Sequence, residues 1–361
     1  MPPALYLHIG INKTGTSAIQ YYCNTHHKEL LDGGLLYPVL GCNGDAHYGI
    51  SRALGFSHGH PSLDKQALDA FARQLDKEFD KSRAESCLIS SEDFVMSKDV
   101  HPIRDFFSSF DCRIVVYLRR HDHWWESAYA QAVKMKVSPR WEPGIKSFIN
   151  FNATRNPKYG NYRLLVDRWA EVFGKEKIIV RPYEGVQNPG GITADILRTI
   201  GFPQLAERAT LNNARVNESL SASALHVIDL LQRAEMLPDV RDALIKNAMR
   251  DHWAQDEFPM LPPRFRRRLI KQNQADYEYI AREYMGRADG ILFTEAIPDI
   301  DDPWEEPVTP QMTEVVSRLV NYLAPGSSGQ VDTNTRNGEP RGSREGSPLR
   351  DRLANWLKDL G

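Results

Sequence analysis

The chain has 361 residues, of which 41% are hydrophobic and 25% charged, the balance of a folded protein with a sizeable core. Its 45 Lys and Arg stand against 47 Asp and Glu, and the resulting charge of −2 excludes a polycation that binds nucleic acid or membrane by bulk attraction. Cys23, Cys42, Cys87 and Cys112 form no CxxC pair and have no histidine at metal-ligand spacing, so the sequence predicts free thiols in a reducing compartment rather than a metal site or a disulfide scaffold.

The first predicted element is a strand over Leu5–Ile9, which runs directly into a glycine-bearing loop, Gly10 to Gly15, and then a helix. No basic stretch followed by an apolar run precedes it, and no apolar window approaches the ~20 residues of a membrane span. A cytoplasmic protein is expected, with contact at the inner face of a membrane left open. Further strands are predicted at Cys87–Ser90, Arg113–Leu118 and Lys177–Arg181, each short and rich in apolar residues, as strands buried on both faces are. Helical periodicity runs through Ala67–Phe79 and through Leu165, Trp169, Val172 and Phe173. That alternation predicts an α/β fold of three layers, α/β/α, with a central parallel sheet and right-handed crossovers.

Beyond residue 190 or so, helices are expected to dominate and to form a C-terminal extension packed on the sheet. One carries Leu220, Ala224, Val227, Ile228 and Leu231 behind an Asn217 cap, and another carries Tyr277, Ile280, Ala281 and Tyr284. A third opens at Thr309 with Pro310 in its first turn, turns Met312, Val315, Val316, Leu319 and Leu323 inward, and stops at Pro325-Gly326. Residues 1–325 are therefore expected to form one domain. Residues 326–348 hold too few apolar side chains to order themselves and predict a disordered linker. Residues 349–361, with Leu353, Trp356, Leu357 and Leu360 at helical spacing, predict a short helix or a frayed tail.

Gly10 and Gly15 keep the spacing of a P-loop, in which backbone N–H groups converge on an anion at a helix N-terminus, and Thr16 or Ser17 adds a hydroxyl from the first turn. The lysine is displaced, however, to Lys13, two residues before the second glycine. No strand-end aspartate of the kind that holds Mg²⁺ in nucleoside triphosphatases is evident, because Arg113–Leu118 ends in Arg119-Arg120. A less highly charged transferring group, stabilised by lysine without metal, suits such a loop better. The second element with chemistry is Arg119 at a strand end followed by Ser127 on the succeeding helix, a spacing that lets a guanidinium and a hydroxyl grip one phosphate from two sides.

The string Gly10-x-x-Lys13-Thr14-Gly15-Thr16-Ser17 resembles the 5′-phosphosulfate loop of sulfotransferases that use 3′-phosphoadenosine-5′-phosphosulfate, and Arg119 with Ser127 resembles the pair that binds the donor's 3′-phosphate in that family. The resemblance runs roughly from residue 4 to 293, strongest at these two motifs, and departs from the eukaryotic pattern at Arg120-His121, where Asp-Pro is usual. It implies a P-loop-like fold and transfer of a sulfuryl group, without a metal, to a hydroxyl of an acceptor. By analogy with bacterial members that acceptor is a glycan or glycolipid. Lys13, Thr14, Gly15, Thr16, Ser17, Arg119 and Ser127 would hold the donor, and Lys13 would also act in the chemical step.

Two residues compete as the base that takes the acceptor's proton. Glu92 follows the second of the four predicted strands, where open sheets place ligands and where cytosolic sulfotransferases carry a histidine. His47 lies in the connection after the first helix, the region that supplies a glutamate in heparan-type members. Arg215 with Asn217 is a further candidate for the donor's phosphate. His121 and His123 are expected to line a helix start rather than bind metal, Arg264-Phe-Arg-Arg-Arg268 with Lys271 to be a solvated helix face, and Trp124, Trp125, Trp141 and Tyr159 to be core. Two alternatives remain: a P-loop small-molecule kinase, and a nucleotide-binding regulator without catalysis.

Overall fold

The computed structural model describes residues 2–56, 61–135, 139–211, 220–231, 242, 245–246 and 258–306. The helix expected from Thr309, the 326–348 linker, the 349–361 tail, Arg215 and Asn217 lie outside the described residues.

Five strands, β1 Ala4–His8, β2 Leu35–Leu36, β3 Ser86–Ser90, β4 Asp111–Leu118 and β5 Ile178–Pro182, form one parallel sheet in the order β2-β3-β1-β4-β5. The four expected strands are present with ends displaced by one or two residues. The edge strand β2 is not among the expectations, since two leucines carry no period of their own. The helices are α1 Thr16–Thr25, α2 His27–Asp32, α3 Tyr48–Ala53, α4 Lys65–Ser82, α5 His101–Phe106, α6 His121–Met135, α7 Ile145–Arg155, α8 Tyr162–Phe173, α9 Ile192–Thr199, α10 Pro203–Leu211, α11 Ala222–Leu231 and α12 Pro263–Met285.

Alternation along each strand sends neighbouring side chains to opposite faces, and helices cover both. On one face Tyr6, Leu88, Val115 and Tyr117 pack with Ile19, Tyr22 and Cys23 of α1, Ala194, Ile196 and Leu197 of α9, and Leu205, Ala206 and Ala209 of α10. The other face carries Leu5, Leu7, Ile89, Ile114 and Val116, all buried, and α8 lies against β4 and β5. The result is the α/β/α sandwich expected from the sequence, with core side chains each worth about 1.5–3 kcal/mol on burial.

The chain divides into two compact units. The first, Met1–Ala128, Ala153–Val216 and Pro263–Ile300, holds the whole sheet and also α12, which packs on β5 and α8. The second, Tyr129–Asn152, Asn217–Pro262 and Asp301–Gly361, is organised among its described residues around buried Asp229. That carboxylate accepts from Tyr129 Oη and from the Gly144 backbone N–H, both at 2.8 Å.

Candidate active site

Parallel strands deliver their carboxyl ends to one edge, and there the ends of β1, β3 and β4 place the loop 10–15, Glu92 and Arg119 side by side. The loop is a tight turn with three left-handed residues, Gly10 at φ 23°, Lys13 at φ 72° and Gly15 at φ 78°. A Cβ on Gly15 would lie 2.9 Å from both Tyr183 and Ile192, and one on Gly10 would lie 2.6 Å from Thr16 and 3.3 Å from Glu92. Both positions therefore require glycine. Lys13 occupies the same region with a side chain, at a cost of roughly 1–2 kcal/mol that surrounding contacts must offset.

Those contacts fall on three successive carbonyls. Thr14 Oγ1 donates to Ile11 O at 2.6 Å, Trp124 Nε1 to Asn12 O at 3.1 Å, and Arg119 Nη1 to Lys13 O at 3.0 Å. The loop then opens α1, whose Gly15 cap supplies no side-chain acceptor for the first-turn N–H groups. Thr16 lies in that first turn, only 2% exposed, and its Oγ1 has no hydrogen-bond partner. An orphaned buried hydroxyl costs about 1–3 kcal/mol. Placed at a helix start whose cap residue contributes no side-chain acceptor, it fits an anionic oxygen as its partner. Lys13 is half-buried and Ser17 exposed at the same turn.

Arg119 is anchored through both its backbone and its side chain. Tyr162 Oη donates to the Arg119 carbonyl at 2.7 Å, and the guanidinium lies 5.3 Å from the centre of the Tyr183 ring. At the start of α6, His121 N and Nδ1 meet Tyr277 Oη while Nε2 donates to Gly160 O at 2.8 Å. Burial holds this imidazole at a pKa of about 4, against the smaller raising effect of Gly160 and Asp122. Arg120 is buried in a bidentate pair with Asp122, 2.8 and 3.0 Å, and donates to the Glu295 and Ala296 carbonyls. Burial alone would raise the Asp122 carboxyl, but hydrogen bonds and charge from Arg120, with His123 and Arg266, bring it to about 2. Ser127 is half-buried in the second turn of α6.

The two base candidates have different surroundings. Glu92 opens a 3-10 turn after β3, half-buried beside Gly10. Tyr48 donates to it, and burial together with the charge of Glu92 raises that phenol to about 12. His47 is fully buried: its Nδ1 accepts from Ser90 N at 3.1 Å and its Nε2 donates to Pro38 O at 2.9 Å. Burial lowers its pKa to about 4, only partly offset by those two bonds. No ring nitrogen of His47 is left over for an acceptor hydroxyl in this conformation. Behind it, Ser90 Oγ meets His8 Nδ1 at 2.9 Å and accepts from Gln20 Nε2 at 3.1 Å, and burial takes His8 down to about 3.

Trp124, Tyr183 and Tyr48 touch the site but carry no motif, so spacing does not single them out. Among the described residues no group of three or more His, Cys, Asp or Glu is placed to hold a metal ion, and no helix is long and apolar enough to cross a membrane. All four cysteines are free thiols, Cys23, Cys87 and Cys112 buried and Cys42 half-buried.

No family model matches the chain. Over 152 residues it is 32% identical to a protein of Archaeoglobus fulgidus described as uncharacterized, a stretch that is 38% of this chain and 39% of that protein. The chain thus spans well under half the length of this curated relative. It is also similar, at 18% identity and a TM-score of 0.38, to the crystal structure of a sulfotransferase from Alicyclobacillus acidocaldarius, over 54% of this chain and 80% of that one.

Proposed function

We propose that the protein is a sulfotransferase that moves a sulfuryl group from 3′-phosphoadenosine-5′-phosphosulfate to a hydroxyl, with a glycan or glycolipid as acceptor. The observation that carries this reading is the orphaned Thr16 hydroxyl at the start of α1, directly after a loop that bears Lys13 and is tied to Arg119. A phosphate at the helix start would satisfy the hydroxyl and the first-turn N–H groups together. Arg119 and Ser127 would take the 3′-phosphate.

The donor supplies the sulfuryl group and the leaving phosphate. Glu92 takes the proton of the acceptor hydroxyl, whose oxygen forms the new S–O bond as the bond to the bridging phosphate oxygen breaks. Lys13 neutralises the charge that grows on that bridging oxygen, so its effect is largest in the transition state. His47, with both ring nitrogens engaged, serves as a latch that joins its loop to the end of β3.

Incubation with radiolabelled donor and a panel of glycans and glycolipids tests this, alongside thermal shifts with adenosine 3′,5′-bisphosphate and with ATP-Mg²⁺. Labelled glycan and stabilisation by the bisphosphate are expected. Stronger stabilisation by ATP-Mg²⁺ with phosphate transfer would make the protein a kinase. Bisphosphate binding with no transfer to any acceptor would make it a regulator.

A further inference from the structure

We infer that Trp124 is a positioning residue for the donor loop. With Thr14 and Arg119 it pins three consecutive carbonyls and so fixes which way the loop's N–H groups face. The inference rests on the reading of that loop as the donor's phosphate cradle. In a trans peptide the carbonyl and the following N–H point in opposite directions. Anchoring the carbonyls of Ile11, Asn12 and Lys13 therefore sets the N–H groups of Asn12, Lys13 and Thr14. Lys13 gains most, because its left-handed backbone, φ 72°, is one that a side-chain-bearing residue leaves readily unless it is held.

Trp124 is suited to the task by its rigidity. Its ring is 2% exposed and packs on Trp125 at 4.8 Å and Tyr159 at 5.0 Å between ring centres. A Cβ on Gly160 would lie 2.9 Å from it. A donor held this firmly loses little entropy when it bonds the Asn12 carbonyl, 112 residues away in sequence. The Arg119 pin adds a link between the two phosphate sites: the guanidinium proposed to bind the 3′-phosphate also holds the backbone of the residue proposed to act at the bridging oxygen.

Amide hydrogen exchange across residues 11–17 of the full chain, compared among wild type, W124F and W124H, separates the hydrogen bond from ring packing. Phenylalanine keeps a six-membered ring without a donor; histidine loses the benzo ring but places Nε2–H where the indole N–H lies. W124F is expected to exchange these amides roughly tenfold faster and to bind adenosine 3′,5′-bisphosphate roughly tenfold more weakly, the worth of about one hydrogen bond. W124H is expected to keep both near wild type despite a comparable loss of melting temperature. Wild-type exchange in W124F, or equal loosening in both variants, overturns the inference. If neither variant folds, T14V removes another pin at constant volume and must loosen the same amides; unchanged exchange there overturns it as well. A wild-type protein that binds no bisphosphate removes the donor reading and leaves the exchange comparison to decide the brace.

Discussion

Ser90 ends a strand by giving its backbone N–H to a histidine ring, and two residues later a carboxylate stands beside the glycine that opens the loop. The two side chains should respond differently to replacement. His47→Ala would leave the Ser90 N–H and the Pro38 carbonyl unpaired in the interior, so it should cost roughly 2 kcal/mol or more of stability. Chemical denaturation checks this; a stable H47A protein with collapsed turnover would return His47 to the chemistry. Glu92→Gln should lower turnover by about 10²–10⁴-fold with bisphosphate affinity unchanged, measured by steady-state kinetics beside calorimetry. Equal loss of affinity would remove Glu92 from the base role. Spacing and strand ends mark Lys13, Glu92 and Arg119 in the sequence, and the fold gathers them at one edge of the sheet. The sequence hid the nature of His47, whose partners are backbone atoms 9 and 43 residues distant that only the fold brings near.

Helix α6 is fastened at its start by charge as well as by the His121 bonds. Asp122 is fully buried and pairs with Arg120 at 2.8 Å and with Arg266 of α12, also at 2.8 Å. Removal of one partner from such a cluster strands the others without water. Asp122→Ala should therefore cost about 3–5 kcal/mol. Urea unfolding would read the loss, and a change below about 1 kcal/mol would show that the cluster does not hold the helix. The same contacts revise the basic run of α12. Its sequence reads as a solvated face, yet Arg266 is committed to Asp122 and Arg267 donates to Pro298 O at 2.8 Å. Short apolar runs made β1, β3, β4 and β5 readable, whereas only the last third of α12 was, because the first turns are arginines whose partners lie elsewhere in the chain.

Three neutral histidines lie in the core of the sheet-bearing unit, His8, His47 and His121, each 3% exposed or less. Burial depresses their pKa values to about 3, 4 and 4, below the ordinary 6.5. Between those values and 6.5 the unfolded chain binds more protons than the folded one, so stability is full above pH ~6.5 and falls as the pH drops toward 4. Each ring contributes up to about 1.4 kcal/mol per pH unit in that window. Melting temperature followed from pH 7 to 4 should fall steeply, and a flat profile would show that the rings accept protons without unfolding.

Calorimetry tests the proposed donor site most directly. Adenosine 3′,5′-bisphosphate and adenosine 5′-monophosphate would each be titrated into wild type and Arg119→Ala. The prediction is that the bisphosphate binds roughly 10- to 100-fold more tightly than the monophosphate, and that R119A erases the difference. Equal affinity of wild type for the two nucleotides would contradict it.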